Sequence, residues 1–158
     1  MNTSFSGGTF TDYVIRECRW WSISDCICIA SIYGQCQGRD IGLFEHARWW
    51  LFHYPKLMFV CQLLNRKSNL VVGYCRVSDD GEVSIGLAVG YRARGIGRRL
   101  LEEVTGMIVK QGHKDHVWAR IAIENHVSQE CFKACGWRPT QGVQGPMPGR
   151  KEDIWKIQ

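Results

Sequence analysis

The sequence has no long hydrophobic run, and no apolar segment approaches the roughly 20 residues that a membrane-spanning helix needs. Its eight cysteines include no Cys-x-x-Cys pair, so a structural zinc site is not indicated. Internal repeats and low-complexity tracts are absent as well. The 158 residues are enough for one hydrophobic core and few for two, which predicts a single domain over 1–158.

The N-terminus lacks the basic start and the continuous apolar stretch of a signal peptide. We therefore expect a cytoplasmic location, where a reducing environment keeps cysteines as free thiols. Cys131 and Cys135 are four residues apart and are predicted to lie on one face of a helix. The simpler interpretation of such cysteines is that they are small buried hydrophobic side chains.

The net charge of +5 is compatible with nucleic-acid binding, but the arginines concentrate in one segment and the rest of the chain mixes signs. No motif of a nucleic-acid-binding module accompanies the charge. A basic pocket for a polyanionic cofactor explains the pattern better. We expect neither nucleic acid nor a membrane as a partner.

The most informative segment runs from Ser84 to Leu101, where an apolar strand leads through a basic, glycine-containing turn into an amphipathic helix. Gly95 and Gly97 remove two Cβ atoms, so several N–H groups can point at one anion near the positive end of the helix. The turn has neither the Gly-Lys-Ser/Thr of a P-loop nor the third glycine of the dinucleotide fingerprint. Guanidinium groups match phosphate oxygens, and four surround the glycines: Arg92, Arg94, Arg98 and Arg99.

The run Arg92-Ala-Arg-Gly95-Ile-Gly97 resembles the Arg/Gln-x-x-Gly-x-Gly/Ala signature of the GNAT acetyltransferases, in which this turn holds the pyrophosphate of acetyl-CoA. A second block, from Asn125 through Ser128 and Phe132 to Gly136-Trp137, resembles the family's Asn-x-x-Ser/Ala-x-x-x-Tyr-x-x-x-Gly-Phe segment. The two blocks stand in the family's order and at a suitable separation. The resemblance implies acetyl-CoA as the cosubstrate and no metal.

Hydrophobic periodicity and turn residues predict the order β-α-α-β-β-β-α-β-α-β-β, which is the order of the GNAT fold. The expected fold class is α/β, with a mixed sheet of about seven mostly antiparallel strands, four flanking helices and a splay between strands 4 and 5. Predicted strands cover 12–19, 57–64, 70–77, 82–88, 117–123 and 153–157, with another beginning at Trp137. Predicted helices cover 25–33 (N-cap Ser24, stop Gly34), 41–53 and 97–110, with a short one after Asn125; 141–149 is predicted to be a loop.

The resemblance implies how the cofactor is held. Pantetheine would lie in the splay against Leu87, Ala88 and Val89, and the backbone amide of Leu87 would polarise the acetyl carbonyl. Asn125 would bond pantetheine or the adjacent loop, although a plain helix N-cap is an alternative role that can coexist. The remaining predicted cofactor residues are Arg92, Arg94, Gly95, Ile96, Gly97, Arg98, Arg99 and Phe132.

Direct transfer requires a neutral amine, so a general base, or a water chain to one, must accept a proton. Glu82 is the first candidate because such enzymes often draw a carboxylate from the start of the fourth strand. The alternative is that Glu82 is only a surface residue beside a hairpin. Glu124 is a second candidate, whereas His113 and His116 are predicted in a solvated connection.

Phe132 stands where many family members have a tyrosine that protonates the departing thiolate, and a phenyl ring cannot donate a proton. Another donor could serve, the thiolate could leave unassisted, or the domain could be inactive. We favour unassisted departure, because a thiol pKa near 8.5 makes the thiolate a fair leaving group at neutral pH.

The resemblance implies an acceptor site built largely from the first two helices and the loop between the last two strands. Trp49, Trp50 and Tyr54 are tentative substrate residues there, although aromatic residues at helical spacing are often core. The loop 141–150 is a candidate lid.

The predicted function is transfer of an acetyl group from acetyl-CoA directly to a primary amine of a small molecule. The segments before and after the turn look most like those of acetyltransferases that act on 4-amino nucleotide sugars. Acetylation of a protein or peptide amine is one alternative, and a non-catalytic CoA-binding module is another. The expected oligomeric state is a monomer or a homodimer.

Overall fold

The computed structural model of the chain describes residues 13–18, 22–38, 42, 57–63, 70–144 and 151–158. The strands in these ranges are β1 (Tyr13–Glu17), β2 (Leu57–Leu63), β3 (Val71–Val77), β4 (Val83–Leu87), β5 (Ala119–Ala122), β6 (Trp137–Gln144) and β7 (Lys151–Ile157). The helices are α1 (Ile23–Gln37), α2 (Ile96–Lys110) and α3 (His126–Ala134). Their order along the chain agrees with the predicted order, except that the helix predicted over 41–53 lies outside the described residues apart from Gly42.

The strands form two antiparallel sheets, with the orders β1-β2-β3-β4 and β5-β7-β6. The sheets meet at the beginning of β4, where Glu82 and Trp118 form a parallel bridge. Val83 N–H donates to Trp118 O at 2.7 Å, and Trp118 N–H donates to Gly81 O at 3.1 Å. Beyond this junction β4 and β5 belong to different sheets, so the strands separate toward their carboxyl ends. The predicted splay between strands 4 and 5 is therefore confirmed.

Helix α2 covers this junction and supplies much of the core. Its buried face consists of Ile96, Leu100, Leu101, Val104, Thr105 and Ile108, at helical spacing. Trp137 at the start of β6 is fully buried against it, and its indole N–H donates to Thr105 Oγ1 at 3.0 Å. On the other side, Ile29 and Ile32 of α1 pack against Val71 and Tyr74 of β3. The first sheet is thus covered on both faces.

Helix α1 begins and ends at other residues than predicted. Ser22 rather than Ser24 is the N-cap, because its Oγ accepts the Asp25 N–H at 3.2 Å. Gly34 is buried within the helix, and Gly38, in the left-handed conformation with φ 64°, ends it. A glycine at a buried helix position allows close packing without ending the helix, so α1 continues about one turn beyond its predicted end, to Gln37.

The late strands are also longer than predicted. Strand β6 continues to Gln144, so residues 141–144 are strand rather than part of the predicted loop 141–149. Strand β7 begins at Lys151 rather than Asp153, and the two strands pair in an antiparallel register from Trp137–Ile157 to Gln144–Lys151. The backbone pairing with β7 along this length stabilises β6, although its glycine and proline residues have a low propensity for strands.

Within the described ranges, no helix combines the length and the apolar character required to cross a membrane.

Candidate active site

The splay exposes one edge of β4. Ala88 N–H donates to Val72 O at 3.0 Å, so Ala88 faces β3, and its amide is engaged there. Backbone groups of successive residues in a strand point to opposite sides, so the N–H and C=O of Leu87 point away from β3 and into the gap. This direction matches the predicted role of the Leu87 amide. Ala88 can offer a ligand its side chain or carbonyl, but its N–H is already bonded.

The turn between β4 and α2 is shaped for an anion. Gly95 is the N-cap of α2 with φ 74°, a left-handed conformation that suits glycine, and as a glycine it has no side chain with which to cap the helix. Ala93 also has a positive φ, of 57°. A Cβ built on Gly97 would lie 3.1 Å from Leu87 Cδ1, so glycine allows α2 to approach the end of β4 closely. The first N–H groups of the helix are therefore directed at the opening of the gap.

The four arginines reach this turn but do not act alike. Arg92 Nε donates to Leu87 O at 3.1 Å, and its Nη2 lies 3.6 Å from Cys36 Sγ. The guanidinium carbon of Arg94 lies over the Tyr91 ring, 5.6 Å from its centroid. Arg98 is exposed and pairs with Glu102 at 2.7 Å, whereas Arg99 is half-buried. Arg92 thus stabilises the turn itself, whereas the Arg98 guanidinium is paired with a carboxylate of its own helix.

Glu82 lies at the closed end of the gap. Its neighbour Val83 points into the core beneath α2, so Glu82 and Ser84 face the α1 side, where Arg76 Nε donates to Ser84 Oγ at 2.7 Å. Burial raises the pKa of the Glu82 carboxyl above its ordinary value, and Arg120 and Arg76 partly oppose the shift. Glu82 precedes Leu87 by five residues, roughly 16 Å along a strand, so a proton would have to reach it through water.

The sequence profile of the Acetyltransferase (GNAT) family matches residues 19–137, which is most of the chain. The chain belongs to the GNAT acetyltransferase family. The predictions of the family and of an acetyltransferase are therefore confirmed. A direct comparison with curated protein sequences finds no match.

Solved GNAT structures share the fold. yncA of Salmonella typhimurium, solved with its cofactor acetyl-CoA, is 20% identical over 94% of each chain, with a TM-score of 0.70. The ribosomal-protein-S5-alanine acetyltransferase of Vibrio fischeri is 17% identical over 99% of this chain and 97% of its own, with a TM-score of 0.74. The ribosomal-protein-S18-alanine N-acetyltransferase of Escherichia coli is 14% identical over 92% of each chain, with a TM-score of 0.69.

Helix α1 contributes to the GNAT turn through a contact that sequence analysis missed. Val89 N–H donates to Gln35 Oε1 at 3.0 Å, and Cys36 beside it contacts Arg92. These bonds connect the last turn of α1 to the segment after β4. Gln35 and Val89 are 54 residues apart, and no local pattern marks the glutamine.

Asn125 is the N-cap of α3, because its Oδ1 accepts the Ser128 N–H at 3.2 Å. Gln129, which sequence analysis did not select, donates from Nε2 to Ala122 O at 3.2 Å and to Ile123 O at 2.8 Å. These bonds fix the end of β5 against the start of α3. The capping role expected of Asn125 is present, and its contact with pantetheine stays a prediction.

Phe132 lies in the core, with only 2% of its surface exposed. Its ring packs edge-on against Trp137, with centroids 5.2 Å apart. Little of the ring is open to a ligand in this conformation. The predicted cofactor contact of Phe132 therefore stays a prediction.

The Phe132→Tyr variant is expected to be less stable by about 1–3 kcal/mol, because the added hydroxyl would be buried without a partner. Urea unfolding of the wild type and the variant measures the difference. Equal stability together with faster acetyl transfer would contradict this expectation, since the hydroxyl would then reach the reacting thiol.

The remaining predicted site residues are either exposed or outside the described residues. Glu124, His113 and His116 are exposed. Trp49, Trp50 and Tyr54 lie outside the described residues, as does the part of the predicted lid from 145 to 150. Among the side chains that the structure describes, no three of the metal-binding types converge to hold an ion.

Proposed function

We propose that this GNAT enzyme transfers an acetyl group from acetyl-CoA directly to a primary amine of a small molecule. The observation that carries the proposal is the splay, which directs the Leu87 N–H into a gap next to the glycine-lined start of α2. Anion-binding amides and a free strand edge thus lie side by side. This pairing suits a ligand with a pyrophosphate at one end and an extended amide-containing arm at the other.

In this reaction the turn, the strand edge and Glu82 would have separate roles in binding and catalysis. Amides of the turn 93–98, with Arg94 and Arg99, would bind the pyrophosphate, and Leu87, Val89 and Asn125 would bind the arm. Bound acetyl-CoA supplies an acetyl group activated as a thioester. The Leu87 N–H would donate to the acetyl oxygen as its negative charge increases. Glu82 would accept the amine proton through water, and its raised pKa makes it a stronger base than an exposed carboxylate.

The proposed acceptor is an amino sugar carried on a nucleotide, which the resemblance of the segments around Glu82 and Asn125 supports. A protein or peptide N-terminus is the second candidate, favoured by the similarity to the two ribosomal-protein alanine acetyltransferases. We also propose a single cytoplasmic domain, with its described cysteines as free thiols.

An amine screen analysed by mass spectrometry tests the acceptor. The chain is incubated with acetyl-CoA and either 4-amino nucleotide sugars or alanine-starting peptides. Acetylation of the sugars alone is expected. Acetylation of the peptides alone would favour the second candidate, and tight cofactor binding without any product would indicate a non-catalytic CoA-binding module.

The Gln35→Ala variant is expected to weaken acetyl-CoA binding about two- to tenfold, because a neutral hydrogen bond that orders the turn is worth about 0.5–1.5 kcal/mol. Calorimetric titration measures the change. Ser24→Ala, an exposed substitution at the other end of α1, is the control and should bind as the wild type does. Tighter binding by Gln35→Ala would contradict the expectation and show that Gln35 competes with the cofactor for the Val89 amide.

A further inference from the structure

Two cysteines lie together beside the first turn of α2. Cys131 is in α3 and Cys135 is its C-cap, so the side chains are neighbours one helical turn apart. Both are partly exposed and pack at the edge of the core. Cys135 Sγ lies 3.7 Å from Arg98 O, which connects the pair to the start of the helix that follows the GNAT turn.

The two thiols differ in acidity because they interact with each other. The neighbouring Cys135 thiol lowers the pKa of Cys131, burial and the Glu102 carboxylate raise it, and the Arg98 guanidinium lowers it. The same interaction between the two thiols raises the pKa of Cys135, and so does burial. By contrast, burial raises the pKa of Cys75 to about 12, which makes that thiol unreactive. Because the Cys135 thiol donates its proton to Arg98 O, we assign Cys131 as the thiol that attacks first and Cys135 as the thiol that attacks second.

We propose that Cys131 and Cys135 form a dithiol site that a low-molecular-weight disulfide oxidises reversibly to an intramolecular disulfide. The Cys131 thiolate attacks one sulfur of the small disulfide, whose S–S bond breaks, and the departing thiolate takes up a proton. Cys135 then loses its proton and attacks the Cys131 sulfur, which releases the second small thiol. Two protein thiols are oxidised, and one small disulfide is reduced to two thiols.

The end of α3 can accommodate this reaction. Residues four apart in a helix have Cβ atoms about 5–6 Å apart, whereas a disulfide needs about 3.5–4.5 Å. Cys135 is outside the regular helix, with φ −94° and ψ 15°, and Gly136 follows with φ 85°. The required shift is therefore confined to the last turn. Because closure moves this turn, we expect the disulfide to be easily reduced.

Treatment of the full chain with oxidised glutathione tests the proposal. Remaining thiols are blocked by alkylation, and the protein is digested with trypsin, which cleaves after Lys133, between the two cysteines. The expected product is a pair of peptides joined by a Cys131–Cys135 bond, lacking two hydrogen atoms and separated by reduced glutathione. Failure to form this bond, or cross-linking of other cysteines in its place, would overturn the proposal.

Single variants test the order of attack. Cys135→Ser should accumulate a glutathione adduct on Cys131, and Cys131→Ser should give about tenfold less adduct on Cys135. Cys28→Ser, a half-buried cysteine on α1, is the control and should form the wild-type cross-link. Equal adducts in the first two variants would contradict the assignment of Cys131 as the attacking thiol.

Discussion

Replacing Gly97 by valine is expected to weaken acetyl-CoA binding about 100-fold, a loss of about 2.7 kcal/mol. A Cβ at this position would already lie 3.1 Å from Leu87 Cδ1 and 3.7 Å from Ile85 Cδ1. The branched side chain would therefore enter the space between the end of β4 and the first turn of α2. Because Leu87 and Ile85 pack against the core, the valine would have to displace the first turn of α2, and with it the amides that we propose bind the pyrophosphate. Calorimetric titration of the variant measures the loss.

Gly106→Val is the matched control for this substitution. Gly106 lies in the same helix, but a Cβ there would have no neighbour within 4 Å among the atoms compared. The control should bind acetyl-CoA as the wild type does, and because valine favours a helix more than glycine, it should not unfold at a lower temperature. Equal binding by the Gly97 and Gly106 variants would show that the cofactor does not approach this turn.

Replacing Glu82 by glutamine is expected to lower kcat at least about 100-fold with the acceptor found in the amine screen, because the amide cannot accept the amine proton. Binding of acetyl-CoA should not change, since Glu82 lies at the closed end of the gap. In the wild type, kcat should rise with pH through the raised pKa of Glu82, as the carboxylate form is the active one. In the glutamine variant, kcat should not rise with pH over this range.

Thermal unfolding distinguishes loss of the general base in Glu82→Gln from a folding defect. Burial raises the pKa of Glu82 in the folded chain, so the stability that its protonated form contributes is lost as pH rises through that pKa. The glutamine variant should therefore unfold at the same or a higher temperature than the wild type at neutral pH. Glu124→Gln, an exposed carboxylate after β5, is the control. A large loss of kcat in the control but not in Glu82→Gln would move the base to Glu124.

The sequence predicted the site best where local chemistry determines the backbone. The turn at Gly95 and the helix predicted over 97–110 follow from glycine conformation and apolar periodicity, and the structure has the helix at Ile96–Lys110 with Gly95 as its N-cap. The bounds of α1 were wrong because Ser22 and Ser24 are equally suited to cap a helix, and because Gly34, a residue type that often ends a helix, is buried within this one. Propensity alone does not distinguish these cases.

Contacts between distant segments could not be predicted. The bond from Val89 to Gln35 depends on the packing of α1 against β3, and burial of Phe132 depends on the position of Trp137. A family motif aligns Phe132 with a tyrosine that donates a proton, but it does not show which way the ring points. The unequal roles of the four arginines likewise became visible only once Leu87 O and Glu102 were placed beside them.

Calorimetric titration of the chain with acetyl-CoA, CoA and dephospho-CoA tests the central claim most directly, because it requires no acceptor and no thiol-reactive dye. We predict micromolar binding of acetyl-CoA and CoA, weakened about 100-fold in Gly97→Val and unchanged in Gly106→Val. Absence of binding to all three ligands would contradict the account, and the arginines of the turn would then have to serve another polyanion.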